Sequence, residues 1–204
     1  VVAGGGEEAH LGLVGLLGGA MGRLPDGRAV FVPFGLPGER VRVRLTEEKK
    51  NFARSELIEI LESSPDRIAP RCKHFGICGG CHYQNLSTEK QLIAKTEILR
   101  DQLTRIGKIQ NPPVAPMAAS PSEWNYRNHV QFHLTGEGKL GFVNATGDSV
   151  IPISECHLPE QPINSFWPQL EFDANTDTER VSVRAGADND LMLLLESNSP
   201  ETPE

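Results

Sequence analysis

Apolar and polar residues alternate along much of the first 65 positions. In residues 40–45 three apolar residues alternate with three arginines, so a strand here has one face for a core and one basic face. Further short apolar segments, separated by Gly- and Pro-containing turn signals, lie at residues 11–17, 29–32 and 52–61. This pattern predicts an OB-like β-barrel of about five short strands over residues 1–65.

A different periodicity follows at residues 88–106, where apolar residues recur at helical spacing. Thr88 and Gln91 have the spacing of a capping box, and Gly107 is placed to end the helix. The apolar stripe consists of Leu92, Leu99, Leu103 and Ile106. The stripe predicts that this helix packs against apolar surface, either in this chain or in another domain.

The remaining pattern predicts strands between about residues 126 and 195, after a Pro-rich linker at 111–121. A boundary is expected at Ser64-Pro65-Asp66. The predicted fold class is therefore α+β, with a β-barrel at 1–65 and a mixed α/β domain at 66–198. The polar residues 199–204 are expected to form a disordered tail.

The charge of the chain is unevenly distributed. Its formal net charge is -7, but residues 1–170 carry 18 Lys+Arg against 18 Asp+Glu, whereas residues 171–204 carry 2 against 9. The negative net charge therefore does not exclude a nucleic-acid partner for the neutral part. No apolar run has membrane length and nothing resembles a targeting segment, so a soluble, cytoplasmic protein with no membrane contact is expected.

Basic residues cluster on the predicted barrel near an aromatic residue. This combination is typical of nucleic-acid binding, in which cations neutralise phosphates and an aromatic ring stacks on a base. The alternative is a solvated strand face and a core ring. The candidate RNA-binding residues are Arg40, Arg42, Lys49, Lys50, Phe52 and Arg54.

Four cysteines form the clearest chemical motif. Cys72, Cys78 and Cys81 fall within ten residues, two glycines separate the last two, and Cys156 lies far downstream. Cysteine thiolates hold iron-sulfur clusters, and glycines let the backbone approach an inorganic core closely. The spacing favours an iron-sulfur cluster whose fourth ligand returns from a distant loop.

Three other interpretations of the cysteines remain open. Structural zinc commonly uses two C-x2-C pairs or a mixed Cys/His set. Only one C-x2-C pair is present here, but His74, His82 and His157 flank the cysteines and could complete a Cys3His site. A disulfide framework is less favoured in a chain of this length without a signal peptide. Unrelated buried thiols would not explain the C-x5-C-x2-C clustering.

The order of these features resembles one protein family. A basic barrel is followed by Cys72-x5-Cys78-Gly-Gly-Cys81, a helix, Tyr126-Arg127-Asn128 and Cys156. This order is similar to that of the RNA uracil-C5 methyltransferases, the bacterial 23S ribosomal RNA (uracil-5-)-methyltransferases with a TRAM domain and a [4Fe-4S] cluster. Shorter stretches such as Lys50-Asn51-Phe52-Ala53 and Ser64-Pro65-Asp66-Arg67 also match. The resemblance extends from about Gly12 to Leu195.

The resemblance implies roles for particular residues. It implies that residues 1–65 are an RNA-binding TRAM barrel and that a central domain holds the cluster. The implied [4Fe-4S] ligands are Cys72, Cys78, Cys81 and Cys156. It also implies that Arg127, Asn128 and Gln131 face RNA or brace an active site, with structural hydrogen bonding as the alternative.

The resemblance also implies parts that this sequence lacks. The family's S-adenosylmethionine domain, with its cysteine nucleophile and base, has no counterpart here, since no glycine-rich nucleotide-binding motif follows residue 150. We therefore expect no catalytic and no S-adenosylmethionine-binding residues in this chain, and an inactive, RNA-recognising portion of a ribosomal RNA methyltransferase. Its expected partners are RNA and a methyltransferase domain packed on helix 88–106. The alternative is a stand-alone iron-sulfur module for RNA binding or redox sensing.

Overall fold

A computed structural model describes residues 6–14, 19–188 and 190–197. The chain divides into two compact units. The first unit consists of Val1–Pro70 and His82–Ala119, and the second of Arg71–Cys81 and Ser120–Glu204. The predicted tail at 199–204 lies outside the described residues.

The first unit contains a closed five-stranded barrel, which confirms the predicted barrel. Its strands are β1 (Glu7–Val14), β2 (Gly19–Arg23), β3 (Ala29–Pro33), β4 (Arg40–Glu48) and β5 (Phe52–Glu62). They pair in the order β1-β2-β3-β5-β4, with β3 and β5 parallel and the other pairs antiparallel. The parallel β3–β5 pair is one of the contacts that close the barrel.

Strand alternation builds the core of the barrel. Val41 and Val43 of β4 are fully buried, as the alternation in residues 40–45 predicts. The apolar residues that share this core are Ala9, Leu11, Ala20, Leu24, Val30, Val32 and Ala53. At Gly22 a Cβ atom would lie 2.4 Å from the carbonyl oxygen of His10, so glycine allows β1 and β2 to approach closely.

One helix of the first unit follows the barrel. Helix α1 spans Thr88–Asp101 and continues into a π-helical turn, Gln102–Ile106. Its N-cap is Ser87, whose hydroxyl accepts a 3.4 Å hydrogen bond from the Lys90 N–H, so the cap lies one residue before the predicted Thr88. Ala94 is the one buried residue of α1, and the predicted apolar stripe remains partly or fully accessible.

The second unit is an antiparallel sheet with one helical layer. Its strands are β6 (His129–Leu134), β7 (Leu140–Val143), β8 (Val150–Pro152), β9 (Thr178–Ala185) and β10 (Leu191–Ser197). Their order is β10-β9-β6-β7-β8. Helix α2 (Gln161–Phe166) and the short 3-10 turn Trp167–Gln169 pack on one face and were not predicted from the sequence.

Aromatic residues fill the core between this sheet and α2. The Phe132 ring lies 5.1 Å from the Phe142 ring and 5.2 Å from the Trp167 ring, measured between centroids. Ile163 of α2 and Val181 of β9 are fully buried in the same core. No helix among the described residues is long and apolar enough to cross a membrane.

A buried ion pair joins the barrel to the segment that follows it within the first unit. Arg67 donates to the Glu39 carboxylate through Nε at 2.5 Å and Nη2 at 2.8 Å. The N–H groups of Leu36 and Ser64 donate to the same carboxylate. Burial raises the pKa of Glu39, but these hydrogen bonds outweigh it and lower the pKa below its ordinary value.

This carboxylate generates a prediction about acid stability. Because the folded-state pKa of Glu39 is lowered, the ionised carboxylate stabilises the folded state. This contribution to the free energy of unfolding is present above the ordinary glutamate pKa of about 4.3 and is lost as the pH falls through the lowered pKa. We expect Glu39→Gln to lower the free energy of unfolding by about 3 kcal/mol at pH 7, the lower end for breaking a buried pair. Urea denaturation should show that the difference in unfolding free energy between the wild type and Glu39→Gln becomes smaller towards pH 3. An equal difference at pH 7 and pH 3 would contradict a stabilising role of the Glu39 carboxylate.

Candidate cysteine site and basic surfaces

The first three cysteines lie in a tightly turned segment, residues 71–81, which we call the cysteine loop. The Cys78 N–H donates to the His74 carbonyl at 2.8 Å, and the Phe75 N–H donates to the Cys72 carbonyl at 3.1 Å. Gly76 has φ +90, a left-handed conformation that glycine adopts without strain. These turns make the loop compact and keep Cys72 and Cys78 close enough to interact electrostatically.

Backbone contacts attach the cysteine loop to the end of β7. The Gly79 N–H donates to the Val143 carbonyl at 3.0 Å, and the Ala145 N–H donates to the Ile77 carbonyl at 2.8 Å. At Gly79 a Cβ atom would lie 2.8 Å from the Asn144 carbonyl oxygen. Glycine is therefore needed at this position for the close approach.

The segment around Cys156 is hydrogen-bonded to the same loop. The Lys73 N–H donates to the Glu155 carboxylate at 2.9 Å. The His74 Nε2 atom accepts from the Ser154 N–H at 3.1 Å. Cys156 itself packs against the core of the second unit. The segment that carries Cys156 is thus held against the cysteine loop.

The four thiols influence one another electrostatically. Burial, followed by the neighbouring cysteines, raises the pKa of Cys156 to about 11. Burial also raises the pKa values of Cys72 and Cys78, although the Gly80 N–H, which donates to the Cys78 Sγ at 3.3 Å, acts in the opposite direction. Cys72, Cys78 and Cys81 all lie close enough to Cys156 to contribute to this shift of its pKa. All four side chains therefore lie in one region of the second unit.

The side chains are gathered but not arranged as a metal cage. Within the described ranges, no three His, Cys, Asp or Glu side chains are placed to hold a metal ion. Of the histidines in the zinc alternative, His74 is hydrogen-bonded to Ser154, and His157 lies 3.6 Å from the Glu155 carboxylate. His82 belongs to the first unit. The candidate metal ligands at this site are therefore the four cysteine thiols.

Trp124 and Glu155 are parts of this region that sequence reasoning missed. The Arg71 guanidinium lies 5.1 Å from the centroid of the Trp124 ring, and the His157 ring meets the same ring edge-on at 5.9 Å. Trp124 therefore contacts residues next to both Cys72 and Cys156. No periodicity could reveal these roles, because both residues act through contacts distant in sequence.

The residues that precede β6 run beside the segment after Cys156. The Arg127 N–H donates to the Leu158 carbonyl at 2.9 Å, and the Glu160 N–H donates to the Arg127 carbonyl at 2.8 Å. Asn125 has φ +54, a turn conformation, and β6 begins at His129, three residues later than the strand predicted from residue 126. The side chains of Arg127 and Asn128 are exposed. The side-chain amide of Gln131 in β6 donates to Ser182 and Glu196.

The predicted basic stripe on the barrel is a ladder of ion pairs. Arg40 lies 2.7 Å from Glu62 and 3.0 Å from Glu8. Arg42 pairs with Glu59. Cross-strand pairing of β4 with β5 places each arginine near a glutamate. A phosphate that binds here has to compete with these carboxylates.

The other barrel candidates differ in their availability. Lys49 and Arg54 both pair with Glu47, at 3.1 Å and 3.2 Å. Lys50 is exposed and has no salt bridge to any described residue. The half-buried Phe52 ring packs edge-on against Phe31, with 5.9 Å between centroids. The structure therefore brings these residues to one end of the barrel, with most of the charge already paired.

Comparison with known proteins gives both domain and family. Residues 18–58 match the TRAM domain. The chain is 39% identical over 137 residues to an uncharacterized RNA methyltransferase of Nitratidesulfovibrio vulgaris. This match covers 65% of this chain and 29% of that protein. It is 34% identical over 172 residues to the 23S rRNA (uracil(1939)-C(5))-methyltransferase RlmD of Xanthomonas oryzae pv. oryzae. That match covers 79% of this chain and 38% of the relative.

A solved structure shares the fold. The crystal structure of Pyrococcus abyssi tRNA (uracil-54, C5)-methyltransferase in complex with S-adenosyl-L-homocysteine matches with a TM-score of 0.61 and 22% identity. The match covers 96% of this chain and 47% of that one. The chain spans about a third of the length of the curated relatives it matches. By its TRAM domain and these relatives, the chain belongs to the RNA uracil-C5 methyltransferase family.

Proposed function

We propose that this chain is the RNA-recognising portion of an S-adenosylmethionine-dependent RNA uracil-C5 methyltransferase that acts on ribosomal RNA. The observation that carries the proposal is the presence of a TRAM barrel and of four gathered thiols in one chain of this family. The relatives named as 23S rRNA methyltransferases support ribosomal RNA as the substrate.

The proposal includes a [4Fe-4S] cluster held by Cys72, Cys78, Cys81 and Cys156. The donor set fits such a cluster, since it consists of four thiols whose negative charges repel one another when ionised. Bound iron would neutralise that charge and fix the side-chain rotamers. Because the ligands come from the cysteine loop and from the loop after β8, the cluster would act as a cross-link within the second unit.

Methyl transfer to the uracil ring needs a thiolate nucleophile, a base and bound S-adenosylmethionine. With all four cysteines assigned to the cluster, this chain has no thiol left for the attack. We place the nucleophile, the base and the S-adenosylmethionine site in the portion of the relatives that this chain does not match. The chain by itself would then be inactive.

The apolar residues left accessible on the first unit's helix support a docking role for it. Ile93, Leu99 and Ile106 are 46%, 45% and 68% exposed. Leu99 and Ile106 belong to the apolar stripe, and an apolar helix face that stays exposed is typical of surfaces that pack on more protein. We propose that α1 and its π-helical turn pack against the methyltransferase domain.

We propose RNA contacts in both units. On the barrel these are Arg40, Arg42, Lys49, Lys50, Phe52 and Arg54, where phosphates would replace the paired carboxylates on the arginines. In the second unit they are Arg127, Asn128 and Gln131. The TRAM domain and the exposure of most of these side chains support the proposal.

Binding measurements on the chain as it stands test the proposed division of roles. We expect it to bind uridine-containing single-stranded RNA, with an affinity that falls as the salt concentration rises. We expect no heat of binding with S-adenosylmethionine in calorimetry. A relative of full length, which includes the portion that this chain does not match, is the positive control. Binding of S-adenosylmethionine by this chain would contradict the proposal.

The close approach at Gly79 gives a second prediction. Gly79→Ala would force the cysteine loop away from the carbonyls of Val143 and Asn144, and overpacking of this kind costs about 1–3 kcal/mol. Gly80→Ala is the matched control, since a Cβ atom there meets only the Cys78 sulfur, at 3.4 Å. Denaturation of the metal-free chain should show a clear loss of stability for Gly79→Ala and a smaller one for Gly80→Ala. Equal losses would mean that the loop is not held against β7 as described.

A further inference from the structure

In the described part of the second unit, helix α2 and the 3-10 turn pack on one face of the sheet and leave the other face without a helix. Side chains alternate along β6, so Val130 and Phe132 enter the core while His129, Gln131 and His133 point to the opposite face. The register of β9 and β10 places other residues beside these three, namely Arg180, Ser182, Arg184, Met192, Leu194 and Glu196. We call this surface, together with Arg127 just before β6, the open face. Most of its side chains are exposed.

Two arginines of the open face lack the carboxylate partners that the barrel arginines have. Among the described residues, neither Arg127 nor Arg184 has a salt bridge to a carboxylate, whereas Arg180 lies 3.3 Å from Glu196. His129 lies directly opposite Arg184 across the β6–β9 pair. Two acids, Asp188 and Asp190, lie in the hairpin that joins β9 to β10. The face itself therefore has an excess of basic groups, although residues 171–204 are acidic as a whole.

We propose that the open face binds single-stranded RNA. This inference rests on the proposed function and assigns part of its RNA contact to a surface that includes Arg184, His129 and Arg180. The exposed guanidinium groups would contact phosphates, and their planes and the imidazole rings would stack on bases. The exposed Met192 and Leu194 would support the bases at the edge of the sheet. The side-chain amide nitrogen of Gln131 donates to Ser182 and Glu196, and its amide oxygen would accept hydrogen bonds from base edges.

Charge complementarity favours RNA over a protein partner for this face. An RNA strand brings phosphates to unpaired arginines, whereas an apolar protein partner would have to bury Arg127 and Arg184 without partners, which is costly. The backbone of Arg127 is hydrogen-bonded to residues 158 and 160, which follow Cys156. The cysteine site is thus connected to one end of the open face.

Salt-dependent RNA binding tests the inference. Binding of a fluorescent single-stranded uridine oligonucleotide should be measured for the wild-type chain, Arg127→Gln, Arg184→Gln and Arg184→Lys, at several salt concentrations. Each phosphate contact contributes about 0.7 to the slope of log K against log salt for single strands. We expect Arg127→Gln and Arg184→Gln each to reduce the slope by about that amount. Arg184→Lys should retain it because the charge is kept.

Lys139→Gln is the matched control, since Lys139 is an exposed cation of the same unit in the β6–β7 hairpin. Its slope should equal that of the wild type. Unchanged slopes for both arginine variants, or an equal reduction for Lys139→Gln, would overturn the inference while leaving RNA binding itself intact. If the wild-type chain does not bind RNA, the proposed function fails together with the inference. Thermal unfolding confirms that each variant is folded.

Discussion

The second unit depends on one long-range closure, in which the cysteine loop meets the segment around Cys156. Lys73 and Glu155, which are hydrogen-bonded, are 82 residues apart in sequence. Loop closure over such a distance costs conformational entropy, and a few backbone hydrogen bonds compensate only part of it. A cluster bonded to both segments would supply the remaining stabilisation. The proposed cluster would account for four thiols in one region of this unit.

Electrostatics distinguishes the two basic surfaces of the chain. On the barrel, glutamates of the neighbouring strand form salt bridges with the β4 arginines. These arginines therefore already have carboxylate partners before any ligand binds. On the open face of the second sheet, Arg127 and Arg184 have no such partners among the described residues. Two surfaces that look alike as basic residues in a sequence therefore differ in how readily they can bind phosphate.

The sequence predicted the elements whose signals are local. The alternation in residues 40–45 predicted a strand with Val41 and Val43 inside, and the barrel confirms it. Helix α2 was missed because its six residues begin with Gln-Pro and are too short for a helical period to appear. The glutamate partners of the β4 arginines were missed because they follow from strand register, which only the closed barrel fixes. Trp124 was missed for the same reason, since its contacts join distant segments.

The proposed iron-sulfur cluster on the four cysteines is tested by the iron and acid-labile sulfide content of protein purified without oxygen, compared with Cys156→Ser. We expect about four irons and a matching amount of sulfide per wild-type chain, and a marked loss of both in the variant. One zinc per chain without sulfide, or no metal at all, would contradict the proposed cluster.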